Sequence, residues 1–110
     1  MKYLITESQL DRVIFRYLDS QNFIQIERSN NIFFVNSEDD EFAQIRYNKK
    51  NGFCQIEFKL IEDVSLLFSL GIVDSKRSIG AWVENTLQMN VEYAQWVTNI
   101  KSEILRVDSN

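Results

Sequence analysis

Between Leu10 and Leu18 apolar residues return every three or four positions: Leu10, Val13, Ile14, Tyr17 and Leu18 share a stripe, and Asp11, Arg12, Arg16 and Asp19 lie opposite. This is the 3.6-residue period of a helix with one buried face. Ahead of it, Thr6-Glu7-Ser8-Gln9 fits a capping box, in which Thr6 and Gln9 satisfy each other's backbone N–H groups. The pattern predicts a helix from about Glu7 to Asp19.

From Asn22 the period changes to two. Phe23 to Arg28 and Ile32 to Val35 are rich in aromatic and β-branched residues, separated by the turn-forming Ser29-Asn30-Asn31. The acidic stretch Ser37 to Glu41 makes a second turn before a strand from Phe42 to Tyr47. Asn48 to Gly52 makes a third, followed by a strand from Phe53 to Leu60. In that last strand Cys54, Ile56, Phe58 and Leu60 alternate with Phe53, Gln55, Glu57 and Lys59. Connections this short favour antiparallel neighbours, because parallel pairing needs a long crossover.

The remaining third has helical spacing. Val64, Leu67 and Phe68 mark a helix over Glu62 to Leu70, with acids at its start and Gly71 just past its end. Asp74 or Ser75 caps a piece bearing Ile79, Trp82, Val83, Thr86 and Leu87. Asn90 caps a last helix bearing Tyr93, Trp96, Val97, Ile100, Ile104 and Val107, with the join at Met89 to Val91 either helical or extended. Both tryptophans are expected as core anchors with the indole N–H at the rim. The predicted fold is α+β: an N-terminal helix, a four-stranded antiparallel meander, and two to three C-terminal helices packed on the sheet. Residues 1–110 form one domain.

Composition adds constraints. With 45% hydrophobic and 25% charged residues the chain is ordinary for a globular domain. A net charge of −4 disfavours nucleic acid as a partner, since such binding draws on Lys and Arg. The single cysteine, Cys54, allows no internal disulfide and is expected as a small buried hydrophobe. No run reaches the ~18 apolar residues that span a bilayer, and nothing near Met1 resembles a secretory signal. A cytoplasmic protein with no membrane association is the expectation.

The inventory also narrows the chemistry. There is no histidine, which removes the usual general base, the Ser-His and Cys-His pairs and the commonest zinc ligand. Three glycines, at 52, 71 and 80, cannot write a phosphate-binding or dinucleotide loop. Glu38-Asp39-Asp40-Glu41 lacks the spaced ligands and glycine of a calcium loop, and so fits a solvated hairpin tip. Glu62-Asp63 fits helix N-terminal charge. No catalytic, cofactor-binding or metal-ligating residue is assigned, and an enzyme is not expected.

One surface stands out. If Ile24, Ile26, Ala43, Ile45, Cys54, Ile56 and Phe58 face the helices, then Phe23, Phe42 and Phe53 face away among polar residues that include Arg46 and Lys59. Ile32 and Phe34, or else Phe33 and Val35, join them according to the hairpin register. Such a face is a satellite core, a protein interface that includes self-association, or a base-stacking platform.

The phrases Ile5-Thr6-Glu7-Ser8-Gln9-Leu10, Tyr17-Leu18-Asp19 and Trp82-Val83-Glu84-Asn85-Thr86-Leu87 resemble small uncharacterised proteins of marine tailed bacteriophages. The resemblance covers about a fifth of the chain and implies no activity, cofactor or site. It implies a protein working inside a bacterial host. The expected function is a non-enzymatic interaction or regulatory domain with a protein partner or a second copy. A single-strand nucleic-acid binder using the same face is the alternative.

Overall fold

The computed structural model describes residues 7–102. Helix α1 (Glu7–Asp19) follows the predicted stripe at four of its five positions, with Ile14 and Leu18 fully buried and Leu10 and Tyr17 packed beside them, whereas Val13 is exposed and Phe15 packs on the core instead. The capping box at Thr6 lies outside the described residues.

Strands β1 (Ile24–Arg28) and β2 (Asn31–Val35) form an antiparallel hairpin in which Arg28 opposes Asn31. The turn is therefore only Ser29-Asn30, with Ser29 at a φ of 56°. Directly opposed residues share a face, so Ile24 and Ile26 travel with Val35 and Phe33. β4 (Ile45–Asn48) sets Ile45 and Tyr47 against Phe34 and Ile32. The hairpin thus sends Ile24 and Ile26 to the face away from the helices, opposite to the expectation that grouped them with Ile45. A turn of two residues rather than three decides this parity.

The expected strand from Phe42 to Tyr47 is broken at Gln44. Its N–H donates to the Phe34 carbonyl at 2.8 Å and its carbonyl accepts from the Glu57 N–H at 2.8 Å, so the ladder continues past the bend. The preceding β3 (Phe42–Ala43) leaves the sheet to pair with β7 (Ile100–Lys101). Ala43 and Ile100 thereby close over Phe33 and Val35, giving a second small core on the sheet's far face.

β5 (Phe53–Glu57) pairs antiparallel with β4 and stops three residues before the expected end. Phe58 to Leu60 instead begin helix α2 (Phe58–Phe68), because Leu60 also opens a helical stripe with Ile61 and Val64, all three buried. Glu62 and Asp63 consequently lie within the helix and not at its start; Asp63 accepts from Lys59 at 2.8 Å. Gly71 caps the front of α3 (Ile72–Leu87) rather than the end of α2, which closes on Ser69 in the left-handed region.

The largest correction concerns the last predicted helix. Tyr93–Val97 is a strand, β6, lying parallel to β5 with Tyr93 beside Phe53 and Trp96 beside Ile56. α2 and α3 are the long crossover that a parallel pair requires. The result is a mixed five-stranded sheet, ordered β1-β2-β4-β5-β6, not a four-stranded meander. Α short strand with apolar residues on both faces carries no clear alternation, and its spacing imitates a helix. Two glycines admit β6 to its place. Gly80 brings α3 close enough that a Cβ there would stand 3.4 Å from the Ala94 Cβ. Gly52, at a φ of 75°, accepts the Glu92 N–H on its carbonyl at 2.9 Å and so fixes the start of the strand.

The main core lies between the sheet's near face and the helices, built from Ile14, Leu18, Phe34, Ile45, Ile56, Ile79, Trp82 and Val83 among others. Among the described residues no helix is long and apolar enough to cross a membrane.

Candidate interaction surface

The five residues singled out from the sequence do not share one face. Phe23 precedes β1 and turns toward the helices, its ring 5.9 Å from Trp82 and 6.4 Å from Phe34. The correction has the same origin as that for Ile24: the parity of the two-residue turn. Phe42 sits on β3 beneath the Lys101 ammonium, 5.6 Å from its ring centre, in the small flap and not on the sheet. Lys59 is on α2 and pairs with Asp63. Only Phe53 and Arg46 remain on the far face of the main sheet.

That face has two regions. Toward β1 and β2 it is apolar and closed by β3 and β7. Toward β5 and β6 it is open and polar: Arg46 is opposite Gln55, and Gln55 lies beside Gln95. Arg46 donates to the Asn31 side-chain oxygen at 3.4 Å, and the Asn48 amide donates to the same oxygen at 3.1 Å. Arg28, opposite Asn31 across the hairpin, has its Nε buried without a hydrogen-bond partner among the described residues.

The aromatic exposure gathers at the β6 margin. Phe53 and Tyr93 are 46% and 52% exposed, with ring centres 5.6 Å apart on the far face. Trp96 is 51% exposed on the near face, its ring 4.9 Å from that of Phe58. It is therefore not the core anchor expected from the sequence, whereas Trp82 is one: it is buried, and its indole N–H donates to Asp19 at 2.9 Å. Between α3 and β6 runs a shallow groove of about 300 Å³, lined by Val73, Lys76, Gly80, Glu84, Val91 and Ala94 among others.

Sequence reasoning missed Tyr93 and Trp96 as surface residues. The available signal was local: Val91, Tyr93, Trp96, Val97 and Thr98 are all aromatic or β-branched and stand between Asn90 and Asn99, two turn formers.

Other candidate groups have structural roles. The Asp40 carboxylate accepts the Asn36 and Ser37 N–H groups at 3.1 and 3.0 Å, so the acidic stretch is a self-bonded turn. Among the described residues no group of three or more Cys, Asp or Glu side chains is placed to hold a metal ion. The Cys54 thiol is buried between sheet and helices, and burial pushes its pKa up to about 12. The Tyr47 hydroxyl donates to the Asn90 carbonyl at 2.7 Å, and burial raises its pKa as well.

No known protein family, curated protein or solved structure matches the chain.

Proposed function

We propose that the chain is a protein-interaction module, an adaptor or small regulator without chemistry of its own, and that it binds through the β6 margin. One observation carries the reading: three half-exposed aromatic residues, Phe53, Tyr93 and Trp96, flank an edge strand that has a ladder neighbour on one side only among the described residues. Aromatic residues with a polar surround are the composition of binding surfaces. A photo-crosslinking residue at Trp96, compared with one at Arg12 on the solvated side of α1, tests it. Protein adducts at the first position and none at the second are expected. Equal labelling, or none, overturns the reading.

A second reading rests on Arg28 and Arg46. Neither guanidinium has a carboxylate partner among the described residues, and Arg46 shares its face with Phe53 and Tyr93. Guanidinium groups beside open rings suit the phosphates and bases of single-stranded nucleic acid. Oligonucleotide binding at low salt, weakened by Arg46→Ala and falling with ionic strength, supports it. No retention at low salt dismisses it.

A further inference from the structure

We infer that the partner at this margin is a second copy of the chain, joined by antiparallel pairing of β6 with β6 about a two-fold axis through Gln95. The inference rests on the interaction reading above and names its partner.

The two edges of the sheet differ in how they are guarded. β1 carries Glu27 and Arg28, and Glu27 is ion-paired to Lys49. β6 reads Tyr-Ala-Gln-Trp-Val, with neither charge nor proline. Natural sheets blunt a free edge with charge, proline, a bulge or a cover, and β6 has neither of the first two.

The strand is also complementary to itself. With the axis at Gln95, Tyr93 opposes Val97 of the second copy, Ala94 opposes its Trp96, and Gln95 opposes its own counterpart. Each pair is favourable: aromatic with β-branched, small with large, amide with amide. An isologous interface demands this kind of self-matching from one patch.

Helix α3 repeats the symmetry independently. Gly80 stands against Ala94, one residue from the axis. Centring two antiparallel copies of α3 on Gly80 sets Lys76 of each opposite Glu84 of the other. Both side chains line the groove beside β6, and neither has an ion-pair partner among the described residues. Strand pattern and helix charge therefore place their axes within one residue of each other, at Gln95 and beside Ala94. Joined this way, the two sheets become a continuous ten-stranded sheet.

Sedimentation over a concentration series, with a charge exchange across the axis, tests the inference on the full chain. Lys76→Glu and Glu84→Lys each place like charges opposite one another, and each is expected to weaken the dimer at least tenfold. Mixing the two variants, or combining them in one chain, restores pairing. Gln95→Cys is expected to form a disulfide-linked dimer under mild oxidation, because opposed Cβ atoms lie ~5 Å apart in such a ladder, while Val97→Cys is not. A chain monomeric at all concentrations, with no Gln95→Cys crosslink, overturns the inference. If the Trp96 photo-crosslinker then still captures a different protein, the interaction reading survives and only the second copy is wrong. If it captures nothing, both fail.

Discussion

The indole N–H of Trp82 donates to the Asp19 carboxylate at 2.9 Å, tying the last residue of α1 to the middle of α3. The indole body meanwhile packs against Phe34 and Phe23, with ring centres 5.4 and 5.9 Å away. One side chain therefore joins two helices and the sheet. Trp82→Phe keeps most of the apolar body and leaves Asp19 without this donor, so a loss of about 1–2 kcal/mol is expected. Trp82→Ala also opens a cavity and should cost about 3–5 kcal/mol. Urea unfolding of the two variants, with Asp19→Ala as the matching truncation, measures this. A Trp82→Phe loss equal to the Trp82→Ala loss would show that the hydrogen bond and not the packing dominates.

Gly52 and Glu92 are the second coupled pair. A Cβ at Gly52 would stand 2.6 Å from the Glu92 Cγ, in a backbone conformation that side chains rarely adopt. Gly52→Ala therefore meets two penalties, one from φ and one from the clash. The backbone part alone is about 1–2 kcal/mol. Adding Glu92→Ala removes the 2.6 Å contact but leaves the Cβ and backbone nitrogen of residue 92 at 3.2 Å and the φ cost, so the double variant should recover only part of the loss. A purely additive thermodynamic cycle would mean that Glu92 moves aside freely.

The contrast between α1 and β6 shows what a single sequence makes legible. The α1 stripe runs over three turns with charges opposite it, and no strand fits that spacing. In β6 five residues meet two environments: Ala94 packs under α3, while Tyr93 and Trp96 reach solvent on opposite faces. The local strand signal between Asn90 and Asn99 competes with the helical spacing, and pairing with β5, which is not local, decides between them. The site suffered for the same reason. Phe53 is legible because Cys54 and Ile56 alternate beside it, but Tyr93, which lies against it, and Trp96 on the other face fall where the spacing predicts a helix. Phe23 and the two isoleucines of β1 were misplaced by the length of one turn, since a one-residue change in register exchanges the faces of a strand.

Cys54 gives a dependence on pH. Its thiol, pushed from an ordinary 9.0 to about 12 by burial, keeps its proton in the folded chain where the unfolded chain releases it. The folded state then binds more protons, and stability falls as pH rises from 9 toward 12. Cys54→Ala lacks this contribution and also lightens the upward shift of Tyr47, which burial raises first and the neighbouring Cys54 second, so both effects act in the same direction. The stability advantage of the native chain over the variant should therefore shrink above pH 9. A thiol reagent at pH 8 should leave the folded protein unmodified and react once urea is added. Rapid labelling without denaturant would show that the thiol is reached through local opening.

Ile100 holds the far-face core together. It packs with Ala43 over Phe33 and Val35, and just beyond it the Ser102 N–H donates to the Glu41 carbonyl at 2.8 Å and the Ser102 hydroxyl donates to the Asp40 carbonyl at 2.7 Å. These contacts anchor β3 and β7 to a sheet whose other face is covered by the helices. Ile100→Ala should cost about 2 kcal/mol, at the lower end for a buried isoleucine because the cluster is small. The distribution of that loss is more informative than its size. Since among the described residues β3 and β7 pair only with each other and lie apart from the main core, they form a natural unit for local opening. Hydrogen exchange in Ile100→Ala should then accelerate at position 100 and at Ser102, whose amides face β3, while the amides of α3 stay protected. Acceleration spread evenly over both cores would instead make the flap part of a single cooperative unit, and Phe33 its centre.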